Sequence, residues 1–311
     1  METMADSPKR WSIVVKCGGN ALAEMPTAFF EELARLHAEG RTPIVVHGGG
    51  PMISSLLDRL GVKTEFVDGL RKTDEATLDV VEMVLCGSIN KDLVRRLQLA
   101  GAPAVGLSGS DGLLLEARPV AAADRVGLVG EVVAVNADLL CGIVALGFVP
   151  VVAPVGADRE GRRYNVNADA AAGAIAARLG AERLVMATDV PGIYRGSGAD
   201  RRVLPIVTEE EIEAMIASGD ITGGMIPKVR AALEGLRGGV AEVVVVDGRS
   251  AGALAAAAAG EPIGTRIVRT AGAGRAEIAA GVQADAQGVP TSAASGKGGA
   301  GGGSADGRNV G

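Results

Sequence analysis

Aromatic residues are scarce in this chain. They make up 2% of its 311 residues, whereas hydrophobic residues of all kinds make up 48%. A core large enough for a chain of this length therefore has to be built from Val, Leu, Ile and Ala. Such aliphatic runs are typical of parallel strands that helices cover on both faces. The composition therefore predicts an α/β protein.

Cysteine and histidine are scarce as well. Cys17, Cys86 and Cys141 are far apart and form no C-x-x-C pair, and the two histidines are His37 and His47. This spacing excludes a disulfide framework or a zinc cluster, and it indicates a reducing, cytoplasmic compartment. There is no H-E-x-x-H motif and no G-x-S-x-G nucleophile elbow. We therefore expect no metal ion held by protein ligands.

Basic clusters and long hydrophobic runs are also missing. The formal net charge is −6 and no stretch of Lys and Arg stands out as a basic arm, so we expect no nucleic-acid partner. Apolar runs such as residues 149–155 are of strand length, too short to cross a bilayer. Residues 1–10 are polar and do not resemble a signal peptide. We therefore expect no membrane partner.

Short apolar runs alternate with helical patterns, as in repeated βαβ units. The predicted strands are residues 12–16, 43–47, 103–107, 148–155, 183–188 and 242–247. The predicted helices are residues 26–39, a helix from Pro51 to Gly61, residues 74–99 and 169–179, and a helix that begins at the capping box of Thr208 and Glu211. From Ala271 the chain is rich in Ala, Gly and Ser, which predicts a disordered tail over residues 271–311.

Glycine-rich loops follow the first two strands. One contains Gly18 and Gly19, and the other contains Gly49 and Gly50. Without side chains, backbone N–H groups can approach an anion closely, and the second loop also leads into the positive end of a helix. Neither loop is a P-loop, because G-x-x-x-x-G-K-[ST] does not occur. The alternative is that both are tight turns in which glycine relieves strain.

Five polar residues complete the set of candidates. Lys16 ends an apolar strand, where a charge needs a partner, and Lys228 opens a helix after a glycine-rich turn. Two such lysines could neutralise a phosphoryl group during transfer. Asp169 either holds the lysines or caps its helix, and Asn165 could reach a substrate. Arg71, which we place in a loop, either grips a carboxylate or is solvated.

The candidates contain no evident general base. A hydroxyl acceptor for a phosphoryl group would need one, whereas a carboxylate acceptor is already ionised at neutral pH. The residues therefore favour a carboxylate as the nucleophile.

Six short motifs occur in order along the chain. They are Val-Val-Lys-Cys-Gly-Gly at 14–19, Val-Val-His-Gly-Gly-Gly-Pro at 45–51, Gly-Leu-Arg-Lys-Thr at 69–73, Asn-Val-Asn-Ala-Asp at 165–169, Thr-Asp-Val-Pro-Gly-Ile at 188–193 and Gly-Gly-Met-Ile-Pro-Lys at 223–228. Each motif alone is weak, but the ordered set resembles the amino acid kinase family over residues 13–268.

This resemblance implies a three-layer αβα sandwich around a mainly parallel sheet. It implies an N-terminal lobe, residues 1–181, that binds the amino-acid substrate and dimerises, and a C-terminal lobe, residues 182–270, that binds ATP. The most similar members transfer the γ-phosphoryl group of ATP to the side-chain carboxylate of N-acetyl-L-glutamate, the second step of arginine biosynthesis. Mg²⁺ would arrive bound to the phosphates of ATP.

The resemblance also implies roles for residues. Lys16 and Lys228 would stabilise the transferring phosphoryl group, and Asp169 would organise both lysines. Gly18 and Gly19 would cradle phosphate. The substrate-binding residues would be Gly49, Gly50, Arg71 and Asn165. The nucleotide-binding residues would be Thr188, Asp189, Val190, Pro191, Gly192, Ile193, Asp220, Ile221 and Thr222.

Two further expectations concern assembly and alternatives. Arginine-inhibited relatives carry a long N-terminal helix that links dimers into hexamers, and few residues precede the first strand here. We therefore expect a homodimer that is insensitive to arginine. The alternatives are a kinase for a carrier-linked glutamate or aminoadipate, and a non-catalytic sensor. Carbamate, glutamate-5-, aspartate and uridylate kinases share the implied fold but fit the motifs less well.

Overall fold

A computed structural model describes residues 13–22, 24–196 and 201–269, with Gly19 and Asn20 described by their backbone alone. Its strands form a central sheet and several smaller ones. In chain order they are β1 (Ile13–Cys17), β2 (Ile44–His47), β3 (Phe66–Val67), β4 (Leu70–Arg71), β5 (Ala104–Ser108), β6 (Leu115–Pro119), β7 (Val129–Val135), β8 (Val149–Ala153), β9 (Val155–Ala157), β10 (Arg163–Val166), β11 (Arg183–Thr188), β12 (Tyr194–Arg195), β13 (Arg202–Val203), β14 (Ile206–Thr208), β15 (Glu242–Asp247) and β16 (Thr265–Val268).

The helices of the same residues are α1 (Gly19–Leu22), α2 (Thr27–Ala38), α3 (Gly50–Arg59), α4 (Glu75–Glu82), α5 (Asn90–Leu99), α6 (Ala123–Val126), α7 (Ala137–Ala145), α8 (Ala168–Leu179), α9 (Glu209–Ser218), α10 (Met225–Arg237) and α11 (Ala253–Ala259). Each predicted helix is present within a few residues of its expected bounds. The capping box of Thr208 and Glu211 is formed in both directions. The predicted tail, residues 271–311, lies outside the described residues.

The central sheet of the described chain has the strand order β14-β16-β15-β11-β1-β2-β8-β5. Neighbouring strands from β15 to β5 run parallel, whereas β16 runs antiparallel to β15. Helices pack around this sheet, so the predicted α/β fold with a mainly parallel sheet is confirmed. The predicted strands at 183–188 and 242–247 have the bounds of β11 and β15.

The two faces of β1 look into different parts of the core, because successive side chains of a strand alternate. Ile13, Val15 and Cys17 pack in a cluster with residues of α2, α5 and α11. Val14 packs in a second cluster with residues of α8 and α10. Lys16 follows the same alternation as Val14, so its side chain projects to the face that α8 and α10 cover.

A second sheet closes on itself through β6, β7, β9 and β10. The prediction of one strand over residues 148–155 is wrong in this region, because the chain turns at Pro154 between β8 and β9. Pro150 lies within β8, so a missing proline N–H does not by itself end the strand; at Pro154 the chain leaves the central sheet for the second one. The Pro154 carbonyl instead accepts from the N–H of Val166.

The predicted helix over residues 74–99 is continuous but not regular. Asp74 caps α4 through the N–H of Thr77, and between α4 and α5 the segment Met83–Ile89 is π-helical. The π-helical hydrogen bond skips one more residue than the α-helical one, which is uncommon and often occurs beside functional sites. The apolar periodicity predicted the helix but did not predict this change of pitch.

The proposed division into lobes at residue 181 cuts across a shared sheet. β1 and β2 precede that boundary and β11 and β15 follow it, yet β1 and β11 are paired along their lengths. The described residues all fall in one compact unit. The lobe boundaries stay a prediction.

One buried ion-pair network joins three strands of the sheet. Glu242 at the start of β15 contacts Arg183 of β11 and Arg266 of β16, the latter through Nε at 2.8 Å. The Glu242 side chain is 9% exposed and those of Arg183 and Arg266 are 21% and 14% exposed. Removing the carboxylate would leave two guanidinium groups without their shared partner.

We therefore predict that Glu242→Ala lowers the free energy of unfolding by about 3 kcal/mol, as expected when one member of a buried ion pair is removed. Urea denaturation at neutral pH measures this change. The matched control is Glu131→Ala, which removes the exposed partner of Arg118 and should cost less than about 1 kcal/mol. Equal costs for the two variants would contradict the prediction.

Candidate active site

A cavity of about 290 Å³ opens where β1, β2 and β11 end. Ligands of open parallel sheets bind at this carboxyl edge. Ten of the residues singled out from the sequence line it: Lys16, Gly18, Gly49, Gly50, Arg71, Asn165, Asp169, Thr188, Asp189 and Lys228. Residues that are separated by more than 200 positions in the sequence are thus brought to one cavity.

The centre of the site is a buried carboxylate between two lysines. Lys16 Nζ lies 2.7 Å from Asp169 Oδ1, and Lys228 Nζ lies 3.7 Å from Asp169 Oδ2. The side chains of Lys16 and Asp169 are 5% and 8% exposed, while that of Lys228 is 26% exposed. Of the two interpretations of Asp169, the geometry favours the one in which it holds both lysines.

Asp169 does not cap α8, because Asn167 does. The Asn167 side-chain oxygen accepts from the N–H groups of Asp169 and Ala170 at 2.9 and 3.1 Å. The cap leaves Asp169 in the first turn with its carboxylate directed at the lysines. Sequence reasoning gave Asn167 no role, although an Asn directly before an Ala-rich helix is a common N-cap signal.

The charges of this cluster shift one another's pKa values. Burial would raise the pKa of Asp169, but the attraction of Lys16 and Lys228 outweighs it, so the pKa lies below its ordinary value. Burial and the charge of Lys16 lower the pKa of Lys228, while Asp169 and Asp189 oppose that change. The carboxylate therefore stays ionised and keeps Lys228 more basic than it would otherwise be.

Arg71 lies in a β-strand, so its predicted place in a loop is wrong. Residues 66–71 form a hairpin of β3 and β4, turned by Asp68 and Gly69 with φ of 52° and 83°. Positive φ favours glycine and tolerates Asp, which makes the tight turn possible. The residue is 7% exposed, so it is not the solvated arginine of the alternative interpretation.

The guanidinium of Arg71 is held by neutral groups. Its Nη2 donates to the Gly50 carbonyl at 3.1 Å and to Ser54 Oγ at 2.9 Å, and its carbon lies 4.8 Å from the centre of the Phe66 ring. Burial lowers its pKa. Among the described residues no carboxylate forms an ion pair with Arg71, so the cation lines the cavity without an acidic partner. The sequence gave no signal for Ser54.

The two glycine loops behave differently. The N–H of Gly18 donates to the Ala187 carbonyl at 2.7 Å, a hydrogen bond at the edge of the sheet, and the role of Gly18 in cradling phosphate stays a prediction. Gly18 also supplies room, because a Cβ there would lie 3.0 Å from Ala187 O and 3.8 Å from Lys16 Nζ. Gly19 begins α1, and its role in phosphate binding stays a prediction.

Gly49 and Gly50 form the start of α3. Gly49 is the N-cap residue, no side chain caps this helix, and Pro51 occupies its first turn. Within the part of the chain that the structure describes, neither N–H group donates to a protein acceptor. Both are therefore available to an anion at the positive end of the helix. A Cβ on Gly49 would lie 2.3 Å from Ile89 Cδ1 and 2.7 Å from Leu85 Cδ2, so both side-chain ends would have to shift to admit it.

Asn165 ends near the same cavity, on β10. Its Nδ2 donates to Thr73 Oγ1 at 3.2 Å, and Thr73 in turn donates to the Arg71 carbonyl at 2.7 Å. Asn165 is thus linked to the backbone of the strand that carries Arg71. Its side-chain oxygen lies on the same amide and provides the acceptor that a substrate N–H would need.

The expected nucleotide-binding residues are only partly brought to the cavity. Thr188 and Asp189 line it, whereas Val190, Pro191, Gly192, Ile193, Asp220, Ile221 and Thr222 do not. Ile193 and Ile221 are buried in the core, and the Ile193 N–H donates to Thr265 Oγ1. Asp220 and Thr222 are exposed. A role for these residues in nucleotide binding stays a prediction.

Two negative findings apply to residues 13–22, 24–196 and 201–269. No His, Cys, Asp and Glu side chains come together there in a group of three or more that could hold a metal ion. No helix in that part of the chain has both the length and the apolar character needed to cross a membrane.

The chain is similar to known proteins in both sequence and fold. The sequence model of the amino acid kinase family matches residues 11–247, which is most of the chain. The chain belongs to the amino acid kinase family. The curated relatives of this family member include proteins named acetylglutamate kinase from Halalkalibacterium halodurans and Brevibacillus brevis. Each is 49% identical over 82% of this chain, and the matches cover 95% and 96% of those proteins, respectively.

Solved structures agree with the family assignment. The protein smu.665 of Streptococcus mutans is 28% identical, covers 82% of this chain and 98% of its own, and superposes with a TM-score of 0.73. The carbamate kinase of Giardia is 17% identical with a TM-score of 0.64 over 84% of this chain and 99% of its own, which shows a shared fold alone.

The lysine cluster predicts a measurable pKa change. Asp169→Asn replaces a carboxylate that stabilises the Lys228 ammonium by a neutral amide, while burial and Lys16 still disfavour the charge. The pKa of Lys228, already lowered in the wild type, should therefore fall further. A pH titration of the ε-carbon chemical shift in protein with ¹³C-labelled lysine measures it.

Glu65→Gln serves as the control, since Glu65 pairs with Lys63 and Lys72 on the surface. It should leave the Lys228 titration unchanged. An unchanged or higher Lys228 pKa in Asp169→Asn would show that the carboxylate does not hold this lysine.

Proposed function

We propose that this amino acid kinase transfers the γ-phosphoryl group of ATP to the side-chain carboxylate of N-acetyl-L-glutamate. The product would be N-acetyl-L-glutamyl 5-phosphate, as in the second step of arginine biosynthesis. The observation that carries the proposal is the 49% identity to acetylglutamate kinases over most of both chains. The cavity supports it with groups suited to two anionic substrates.

The charge of the cavity suits anions. Lys16, Lys228 and Arg71 face two carboxylates, Asp169 and Asp189, so the cations are in excess. The positive charge of Arg71 has no carboxylate partner in the described chain, because its acceptors are a carbonyl and hydroxyls, so it can attract the carboxylate of a substrate. We propose that Arg71 and Asn165 hold the α-carboxylate and acetamido side of the acceptor.

The reacting carboxylate of the acceptor needs no deprotonation at neutral pH. In agreement with this, no histidine is among the residues that line the described cavity, and Asp169 is engaged by two lysines. Catalysis would then depend on orientation and on charge stabilisation rather than on a general base. The N–H groups of Gly49 and Gly50 would hold oxygens of the acceptor or of the transferring group.

The lysines would act on the phosphoryl group itself. In the transition state negative charge is spread over the three equatorial oxygens of the phosphoryl group, with the attacking and leaving oxygens roughly in line, and fixed cations stabilise that charge. We propose that Lys16 and Lys228 provide these cations and that Asp169 holds them at a set separation. Asp169 would not contact the phosphoryl group, since like charges repel.

ATP use follows from kinase activity, and Mg²⁺ would neutralise its phosphates. Thr188 and Asp189 are the two expected nucleotide-binding residues that line the cavity, and we assign them to the nucleotide side. No carboxylate cluster in the described chain is built to hold a metal ion by itself, so we propose that Mg²⁺ is bound mainly by phosphate oxygens. In the same way, we propose that the C-terminal lobe, residues 182–270, binds the nucleotide.

The expected homodimer and its insensitivity to arginine stay predictions. Both depend on residues that precede β1, and residues 1–12 lie outside the described residues. They do not affect the assignment of the reaction.

The reaction is tested by trapping its product. Purified protein is incubated with Mg-ATP, hydroxylamine and, separately, N-acetyl-L-glutamate, L-glutamate, L-aspartate or carbamate. An acyl phosphate yields a hydroxamate, which ferric iron colours. We expect a strong signal with N-acetyl-L-glutamate and none with L-glutamate, because the acetamido group is part of what the site binds.

Silence with every acceptor from folded protein that binds ATP would contradict the proposal. A carrier-linked glutamate or aminoadipate would then be the next substrate to test, and a non-catalytic sensor the next class. A signal with L-aspartate or carbamate alone would keep the family chemistry and replace the acceptor.

Substitutions separate binding from chemistry. Arg71→Ala should raise KM for N-acetyl-L-glutamate about 10- to 100-fold with little change in kcat, because a charge-assisted contact is lost in ground and transition states alike. Lys228→Ala should lower kcat about 10²- to 10³-fold, the usual effect of removing one transition-state donor. Steady-state kinetics measures both.

Lys72→Ala is the matched control for Arg71. Lys72 is the next residue, and it is exposed and paired with Glu65. We expect its kinetics to stay within about twofold of wild type, as for an exposed ion pair. A lower kcat with unchanged KM in Arg71→Ala would remove Arg71 from acceptor binding.

A further inference from the structure

His47 is a buried imidazole that the proposed chemistry does not use. It is the last residue of β2, it is 0% exposed, and the glycines of the second loop follow it directly. It does not line the cavity, whereas Gly48, Gly49 and Gly50 do. A buried polar group needs hydrogen-bond partners, so the partners of the two ring nitrogens indicate the role of His47.

Both ring nitrogens have partners, and together they fix the tautomer. Nδ1 lies 3.0 Å from the carbonyl oxygen of Gly48, which can only accept, so Nδ1 carries the proton. Nε2 lies 3.2 Å from the side-chain amide nitrogen of Asn90, which can only donate, so Nε2 presents its lone pair. The ring is therefore neutral.

Asn90 is oriented by its own surroundings. Its amide nitrogen also donates to the Val151 carbonyl at 2.9 Å and lies 3.3 Å from that of Leu107, so three acceptors surround it. Its oxygen accepts from Lys91 Nζ at 3.2 Å. Gly106 leaves room for this arrangement, since a Cβ there would lie 1.9 Å from Asn90 Oδ1. A second proton on His47 Nε2 would face a donor.

Burial lowers the pKa of His47 to about 4, opposed by the Gly48 carbonyl and aided by the charge of Lys91. The imidazole thus keeps a single proton, on Nδ1, at every pH at which the enzyme would work.

The Gly48 carbonyl belongs to the peptide unit that also contains the N–H of Gly49. In a planar trans peptide these two groups point in opposite directions. Because His47 Nδ1 holds the carbonyl, the N–H of Gly49 is turned away from the buried ring. The Gly48 N–H is held separately by the Cys17 carbonyl at 3.0 Å, and Leu85 and Ile89 pack on Gly49.

We infer that His47 is a positioning residue, held in its Nδ1–H tautomer by Asn90, that orients the Gly48–Gly49 peptide so that the Gly49 N–H meets an anionic oxygen in the cavity. The inference rests on the proposed function for the choice of acceptor, but the orientation of the peptide can be measured without it.

Two substitutions separate the contribution of the Nδ1 contact from that of the Nε2 contact. His47→Asn places an amide nitrogen near the position of Nδ1 and can still donate to the Gly48 carbonyl. His47→Gln places its amide near the position of Nε2 and can still meet Asn90, but it has no donor at the Gly48 carbonyl. Gln is closer to His in volume, so a role in packing alone predicts that Gln is the better replacement.

We expect the opposite order in activity. His47→Asn should keep kcat/KM for N-acetyl-L-glutamate within about fivefold of wild type, whereas His47→Gln should lower it about 10- to 100-fold, the effect of a small misplacement in a positioned site. KM for ATP should change little in either variant. Urea denaturation of both variants gives the order of stability separately from the order of activity.

Two NMR measurements complete the experiment. Long-range ¹H–¹⁵N correlation should find His47 as the Nδ1–H tautomer, with His37→Gln used to assign the two rings. The Gly49 amide resonance should shift on addition of inorganic phosphate in wild type and His47→Asn and not in folded His47→Gln. Lys63→Met, which removes an exposed lysine that pairs with Glu65 outside this network, should behave as wild type.

The outcomes separate this inference from the proposed function. An Nε2–H tautomer in the wild type, or equal kcat/KM in the Asn and Gln variants of an active enzyme, overturns the inference and leaves the function standing. If the wild type phosphorylates no acceptor, the function fails, and the phosphate response of Gly49 decides the inference: a response retained in folded His47→Gln overturns it. If His47→Gln does not fold, Asn90→Leu takes its place, with loss of the single tautomer and weaker phosphate response expected.

Discussion

The charge of Asp169 is the constraint around which the site is arranged, because two lysines from distant parts of the chain share this one carboxylate. Three features of the sequence bring them together. Strand alternation turns Lys16 to the face that α8 covers, and the Asn167 cap sets the first turn of α8 so that Asp169 meets it. Small residues then allow α10 to approach closely, since a Cβ on Gly173 would lie 3.0 Å from the Ala231 carbonyl. That approach is what brings Lys228, in the first turns of α10, to the same carboxylate.

Regular elements could be predicted from the sequence wherever one principle dominated. The apolar runs at β11 and β15 contain little besides aliphatic residues, so their bounds were predicted correctly. Where two principles compete, prediction failed. Residues 148–155 are apolar throughout, but at Pro154 the chain passes from β8 of the central sheet to β9 of the second sheet, which the apolar pattern does not reveal. Helical periodicity cannot distinguish an α-helical from a π-helical turn within residues 74–99. The Arg71 strand is two residues long, too short for any periodicity, and the conformation of Asp68 and Gly69 makes it.

The two glycine loops show why a motif does not determine a role. Both loops follow a strand, and both have the glycine pattern expected of an anion-binding loop. The N–H of Gly18 donates to the Ala187 carbonyl, whereas the N–H groups of Gly49 and Gly50 lie at the start of a helix that no side chain caps. The difference arises from neighbours that the local sequence does not contain. β11 lies beside β1 and supplies an acceptor, and the π-helical segment packs against Gly49 and leaves its N–H free. The motifs placed both loops beside the cavity, but the different hydrogen bonds of their N–H groups depend on neighbours from elsewhere in the chain.

The electrostatics of the cavity and the neutrality of His47 belong to one physical arrangement. If Lys16 and Lys228 stabilise the transferring phosphoryl group, as proposed, a further titrating group adds nothing, and a proton-accepting base is not required when the acceptor is a carboxylate. An imidazole beside such a site would ordinarily titrate near neutral pH. Here burial and the amide of Asn90 prevent it, so the ring acts through a fixed hydrogen bond to the Gly48 carbonyl. In this arrangement the cations provide positive charge, and the buried ring orients the glycine amides toward the bound anion.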